Sequence, residues 1–159
     1  MRSEQKIIEY ESVKDAVDYL NDKCWHDSVL YEIVLLRTDS ADRVVLKFDL
    51  LLDWDQQVSE YIEIVFNGCY HVAAQMNWGV DCMSDGEMVL NVECTDSDDL
   101  IDAIREKWGA NGTDIGIFRM KMASTSSTLE IVFRGVTVKQ TGGARPHNAP
   151  PPLYPQGSR

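Results

Sequence analysis

Apolar and polar residues alternate along most of this chain with the two-residue period of half-buried β-strands. The clearest run is Ile62-Glu63-Ile64-Val65-Phe66-Asn67-Gly68-Cys69, which recurs 67 residues on as Leu129-Glu130-Ile131-Val132-Phe133-Arg134-Gly135-Val136. In both copies a glycine stands two residues after a phenylalanine, where a bulge or sharp bend is expected. One strand is expected from Ser28 to Thr38, followed by the polar turn Thr38 to Asp42. In the next, Val44, Leu46, Phe48, Leu50, Leu52 and Trp54 share a face, with Lys47, Asp49 and Asp53 opposite. After Gly68 the alternation continues through Tyr70, Val72, Ala74, Met76 and Trp78, and Asp81 to Gly86 reads as a turn. Met88, Leu90, Val92 and Cys94 then line one strand, and Phe118, Met120 and Met122 another. In the second copy Leu129, Ile131 and Phe133 are odd-numbered but Val136 and Val138 even, a phase change at Gly135 of the kind a bulge produces.

Two stretches carry the helical period instead. Ser12 and Asp15 have capping-box spacing, and Val13, Ala16, Val17, Leu20 and Cys24 fall on one face, which predicts a helix over 12–23. Thr95 or Asp96 caps a second helix whose buried stripe is Leu100, Ile101, Ile104 and Trp108, with Gly109 as its stop. Strands and helices do not alternate regularly. The expected class is therefore α+β, mainly an antiparallel sheet of about six or seven strands with two helices packed against it.

All five prolines lie after residue 140. That shift predicts a single domain over 1–140 and a proline-rich disordered tail over 141–159. The tail holds Pro151-Pro152-Leu153-Tyr154, which satisfies the P-P-x-Y pattern bound by WW domains, though so short a match also arises by chance in such a tail.

The formal charge is −11. Arg145 and Arg159 are the charged residues of the last 19, so residues 1–140 hold 13 basic and 26 acidic groups, a net −13. A surface this acidic disfavours nucleic acid and anionic membranes and speeds encounter with cationic partners, although solubility alone is a sufficient reason for it. No apolar run approaches the roughly 20 residues needed to cross a bilayer. The polar N-terminus leads into no signal core, and the four cysteines read as reduced thiols, so the expected location is cytoplasmic.

Candidate chemistry is thin. Cys24 with His26, and Cys69 with His71, are two C-x-H pairs that would in principle serve zinc, but the spacing matches no common finger. Cys69 and His71 also occupy the places of Val136 and Val138 in the second copy, which marks them as packing positions. No metal, cofactor or catalytic residue is assigned. His26-Asp27 lacks the dispersed helical ligands of HD phosphohydrolases and is expected to turn the chain, with His26 bonded to a backbone group. No nucleophile elbow or phosphate loop is present. The acids Asp96, Asp98, Asp99, Asp102 and Glu106, with Glu93 nearby, form the densest negative patch, and their spacing breaks the calcium-loop pattern at once. Solvated helix acids are the plain account, and a docking surface for a basic protein is the sharper one.

The segment Trp25-His26-Asp27-Ser28-Val29-Leu30, with the later F-x-G strands, resembles a set of small bacterial α+β proteins with an aromatic-His-Asp-Ser/Ala-x-Leu signature. Many of those are uncharacterised and some are assigned as immunity proteins of polymorphic toxin systems. The resemblance covers residues 25–68 and 129–138. Together with the −13 core and the lack of a catalytic constellation, it points to a non-enzymatic acidic interaction protein, with an immunity protein neutralising a basic toxin as the sharper expectation. The alternatives are a small-molecule binder or enzyme using a pocket on the sheet near Trp54, Trp78 and Trp108, and a structural subunit forming a homodimer through a sheet edge.

Overall fold

The computed structural model describes residues 5–39, 41–77, 87–109 and 113–146. The expected turn at 81–86, Trp78, His147 and the P-P-x-Y tail lie outside them. In chain order the elements are β1 (Gln5–Tyr10), α1 (Val13–Asn21), β2 (Val29–Arg37), β3 (Asp42–Asp53), β4 (Val58–Asn67), β5 (His71–Gln75), β6 (Glu87–Thr95), α2 (Asp99–Trp108), β7 (Gly116–Met122), β8 (Thr128–Phe133) and β9 (Gly135–Pro146). Among the described residues nine strands join in one antiparallel ladder, β1-β9-β4-β3-β2-β6-β7-β8-β5. The expected α+β class with six or seven strands is thus corrected to a mostly β fold with two short helices. The uncounted strands have physical explanations. β1 is an edge whose Ile7 stays 54% exposed, which blurs its alternation, and the second repeat copy is two strands rather than one.

The ladder passes from one half to the other between β2 and β6, which share Val29↔Met88 and Leu30↔Glu87 among the described residues. Its two halves fold onto each other around one core. Leu46, Phe48, Ile62, Ile64 and Phe66 come from one half, and Phe118, Met120, Met122, Leu129, Ile131 and Phe133 from the other. The ring of Phe66 lies 4.9 Å from Phe118 and 5.2 Å from Phe133. Helix α1 adds Val13, Ala16, Val17 and Leu20 to the same core, and its Asn21 side chain bonds both backbone groups of Cys94, closing that stretch of the β6 edge. Ser12 caps α1 by accepting from the Asp15 N–H, while Cys24 lies beyond the helix and is exposed.

The repeated motif marks the two places where the chain passes from one half to the other. The first copy ends β4 and enters β5; the second ends β8 and enters β9. The crossings touch: the Arg134 N–H donates to the Asn67 carbonyl at 3.0 Å, and Asn67 pairs with Gly135. Gly68 adopts φ 60°, and a Cβ there would sit 3.0 Å from Arg134 Cδ and 3.1 Å from its Cβ. The phase change at Gly135 is therefore a crossover between facing halves, not a bulge. Inward-facing parity need not persist when the core lies on the other side of the chain.

Other expectations fail where register shifts. β6 is irregular between Val89 and Asn91, so Val89 is buried while Met88 and Leu90 are exposed. β3 shifts between Leu51 and Asp53, leaving Leu52 and Trp54 exposed. β9 runs to Pro146, past the boundary expected at 140. Its end is pinned by Arg145, whose Nε and Nη2 donate to Oδ1 of fully buried Asp49 at 3.0 and 2.9 Å. No helix among the described residues is long and apolar enough to cross a membrane.

Candidate functional site

Outward positions of β5, β6, β7 and β8 are set by the core residues between them. With Phe118 and Met120 turned inward, Arg119 faces out; with Leu129 and Ile131 inward, so does Glu130. Registers Glu93↔Arg119, Arg119↔Glu130 and Glu130↔Ala73 place these in one row across four strands. Helix α2 covers the far part of this face by packing Ile101 and Ile104 on Ile115, Ile117 and Val132. It is capped by Asp98, whose Oδ1 accepts from the Leu100 N–H at 2.9 Å, and not by Thr95 or Asp96 as expected. Gly109 at φ 63° ends it, and Trp108, expected in the buried stripe, is 60% exposed.

Asp98 also meets the row. Arg119 donates to its two carboxylate oxygens at 2.6 and 3.1 Å and, through Nε, to Glu130 Oε2 at 2.7 Å. Glu130 Oε1 then lies 3.1 Å from His71 Nε2. The chain Asp98–Arg119–Glu130–His71 thus ties the start of α2 to strand β5. The Arg119 guanidinium, followed by the Leu100 N–H, holds the Asp98 carboxyl below its ordinary range, and the two carboxylates push Arg119 further up. Both stay ionised through any physiological pH. Beside the row lies an open groove of about 480 Å³, lined among others by Ala73, Gln75, Asn91, Glu93, Lys121 and Thr128.

Compared with known proteins, the chain matches no family model, no curated protein and no solved structure. The site is read from its own residues.

The five acids singled out in the sequence divide. Asp98 is committed to its cap and to Arg119, whereas Asp96, Asp99, Asp102 and Glu106 are exposed. Among these four, the ion pair seen in the described residues is Asp102 with Arg105 at 3.7 Å, its carboxylate 77% exposed. Glu93 is likewise exposed, at the groove. Sequence reasoning missed Arg119 and Glu130. Alternation would have shown both facing outward, but their pairing depends on β7 lying beside β8.

The C-x-H pairs are used differently. Cys69 Sγ points to the Phe66 carbonyl at 3.4 Å and packs against the core, and burial pushes its thiol up to about 11. Cys24 contacts the His26 carbonyl. His26 Nδ1 lies 2.9 Å from the Asp27 carboxylate rather than on a backbone group, and Asp27 turns the chain at φ 69°. Among the described residues no three His, Cys, Asp or Glu side chains are grouped to hold a metal ion. The rest of the Trp25–Leu30 signature is architectural. Trp25 donates to the Leu20 carbonyl at 2.6 Å and packs on Phe48, while the buried Ser28 hydroxyl bonds the Cys24 carbonyl and the Leu51 N–H.

Proposed function

We propose that this chain is a non-enzymatic interaction protein that captures a basic protein partner on the acidic face of α2, in the manner of an immunity protein neutralising a basic toxin. The observation that carries the reading is the exposure of Asp99, Asp102 and Glu106 on α2 and of Asp96 just before it, four acids against the Arg105 and Lys107 of the helix's last turn. Exposed like charges repel, and a cationic partner relieves that repulsion while being steered toward it. The rigid Asp98–Arg119–Glu130 lattice beneath holds the face in place, a scaffold's role rather than a proton shuttle's. The short resemblance to immunity proteins leans the same way, and the proposal places the encounter in the cytoplasm, where thiols remain reduced.

The test is affinity for a basic protein recovered from the source cell on the wild-type chain, measured again with Asp96→Lys, Asp99→Lys, Asp102→Lys and Glu106→Lys combined in one chain. The reading expects about a hundredfold loss or more, since like-charge juxtaposition costs several kcal/mol. Unchanged affinity in a folded variant would contradict it. The groove favours a second reading, a small polar ligand, because its volume falls in the ordinary range of ligand sites. Amide shifts confined to Asn91, Lys121 and Thr128 on adding a library of small polar molecules would support that reading.

A further inference from the structure

The ladder has two terminal strands, and they are treated differently. β1 carries Lys6 and Glu9, the sort of charged residue that discourages pairing with another chain. β5 is His-Val-Ala-Ala-Gln, with no proline, no lysine and its one titratable group, His71, held by Glu130. Among the described residues β5 pairs only with β8, and Val72, Ala73, Ala74 and Gln75 are all exposed. An uncharged, uncovered edge of this kind presents a row of backbone donors and acceptors to any extended chain.

The groove adjoins this edge. Ala73 and Ala74 line it on the β5 side, so the side-chain layer is low where an added strand would lie. Beyond them stand Glu130 and the exposed Glu93 together with Arg119 and Lys121, so the groove itself is balanced in charge and the acidic excess belongs to the chain as a whole. With a chain charge of −11, two copies of this protein repel, whereas a basic segment is attracted. We propose that β5 is a docking edge onto which an extended basic segment of a partner protein adds as a further strand, alternate side chains lying over Ala73 toward Glu130 on the next strand. The proposal rests on the reading of the chain as a binder of basic protein and supplies its mode of contact.

The probe is a synthetic peptide of about eight alternating lysines and valines, the length of an ordinary strand, added to the full chain at up to about 1 mM. Binding is followed by fluorescence anisotropy and by the amide resonances of His71–Gln75. The expected result is saturable binding with the largest shifts on β5. Affinity should fall about tenfold or more when the peptide amides are N-methylated, which removes backbone donors and leaves the charge intact. The same loss is expected in whichever of Ala73→Pro and Ala74→Pro keeps the wild-type melting temperature, since alternate strand amides face outward.

An N-methylated peptide that binds as tightly as its parent overturns strand addition and leaves the acidic-face reading standing. A glutamate–valine peptide that binds as well as the lysine one overturns the basic occupant and counts against that reading. No binding of the lysine peptide overturns the proposal, with the α2 charge reversal judging the reading separately. Doubling of mass on sedimentation, lost in the tolerated proline variant, makes a second copy the occupant and overturns it as well.

Discussion

Arg119 is the residue on which the outer face turns. It makes three charge-assisted hydrogen bonds to two carboxylates while only 32% exposed, and bonds of this kind exceed ordinary surface ion pairs in strength. Arg119→Ala should cost about 1–2 kcal/mol in denaturant unfolding, and Arg119→Lys should recover only part, because an ammonium lacks the planar fork. The pH dependence follows from Asp98, whose folded-state pKa is depressed. Its stabilisation is present above the unfolded value near 4 and is lost as pH falls through the folded one, so the gap between wild type and Arg119→Ala should close in acid. Glu60 has the opposite sign. Burial raises its pKa against the pull of Lys23 and Lys6, so its charge opposes folding at neutral pH. Glu60→Gln should therefore raise the melting temperature at pH 7, and the gain should vanish below about pH 4.

Among elements, α1 docks where the sheet allows it no spare room. A Cβ on Gly116 would lie 2.8 Å from Phe133 Cζ and 3.0 Å from Val13 Cγ1, and both neighbours are fully buried. Gly116→Ala should cost about 1–3 kcal/mol through overpacking, measured as a lower denaturant midpoint at unchanged slope. The strands themselves were largely legible in the sequence, since period-two alternation correctly put Ile62, Ile64, Phe66, Phe118, Met120, Met122, Leu129, Ile131 and Phe133 inside. What alternation misses is where the chain changes halves, as at Arg134, and where pairing slips by one residue, as in β6 and at the end of β3. It also gives no strand order. Arg119 facing Glu130, Asp98 capping α2 and Arg145 reaching Asp49 are all non-local consequences of which strand lies beside which. The acidic character of α2 was legible because it is local; the diversion of Asp98 from that surface was not.

At the scale of the whole molecule, a net −11 sets a negative field around a mostly β scaffold, and α2 with Asp96 before it concentrates part of that charge on exposed side chains. Such a field acts chiefly on the rate of encounter, and mobile ions screen it beyond about 8 Å at physiological ionic strength. The most direct test is the stopped-flow association rate with a basic protein recovered from the source cell on the wild-type chain, followed from about 50 to about 500 mM salt. Capture by the acidic face predicts a rate that falls about tenfold or more over that range in the wild-type chain, and a visibly shallower dependence once Asp96, Asp99, Asp102 and Glu106 are reversed to lysine. A rate indifferent to salt, or an equal slope in both chains, would contradict it.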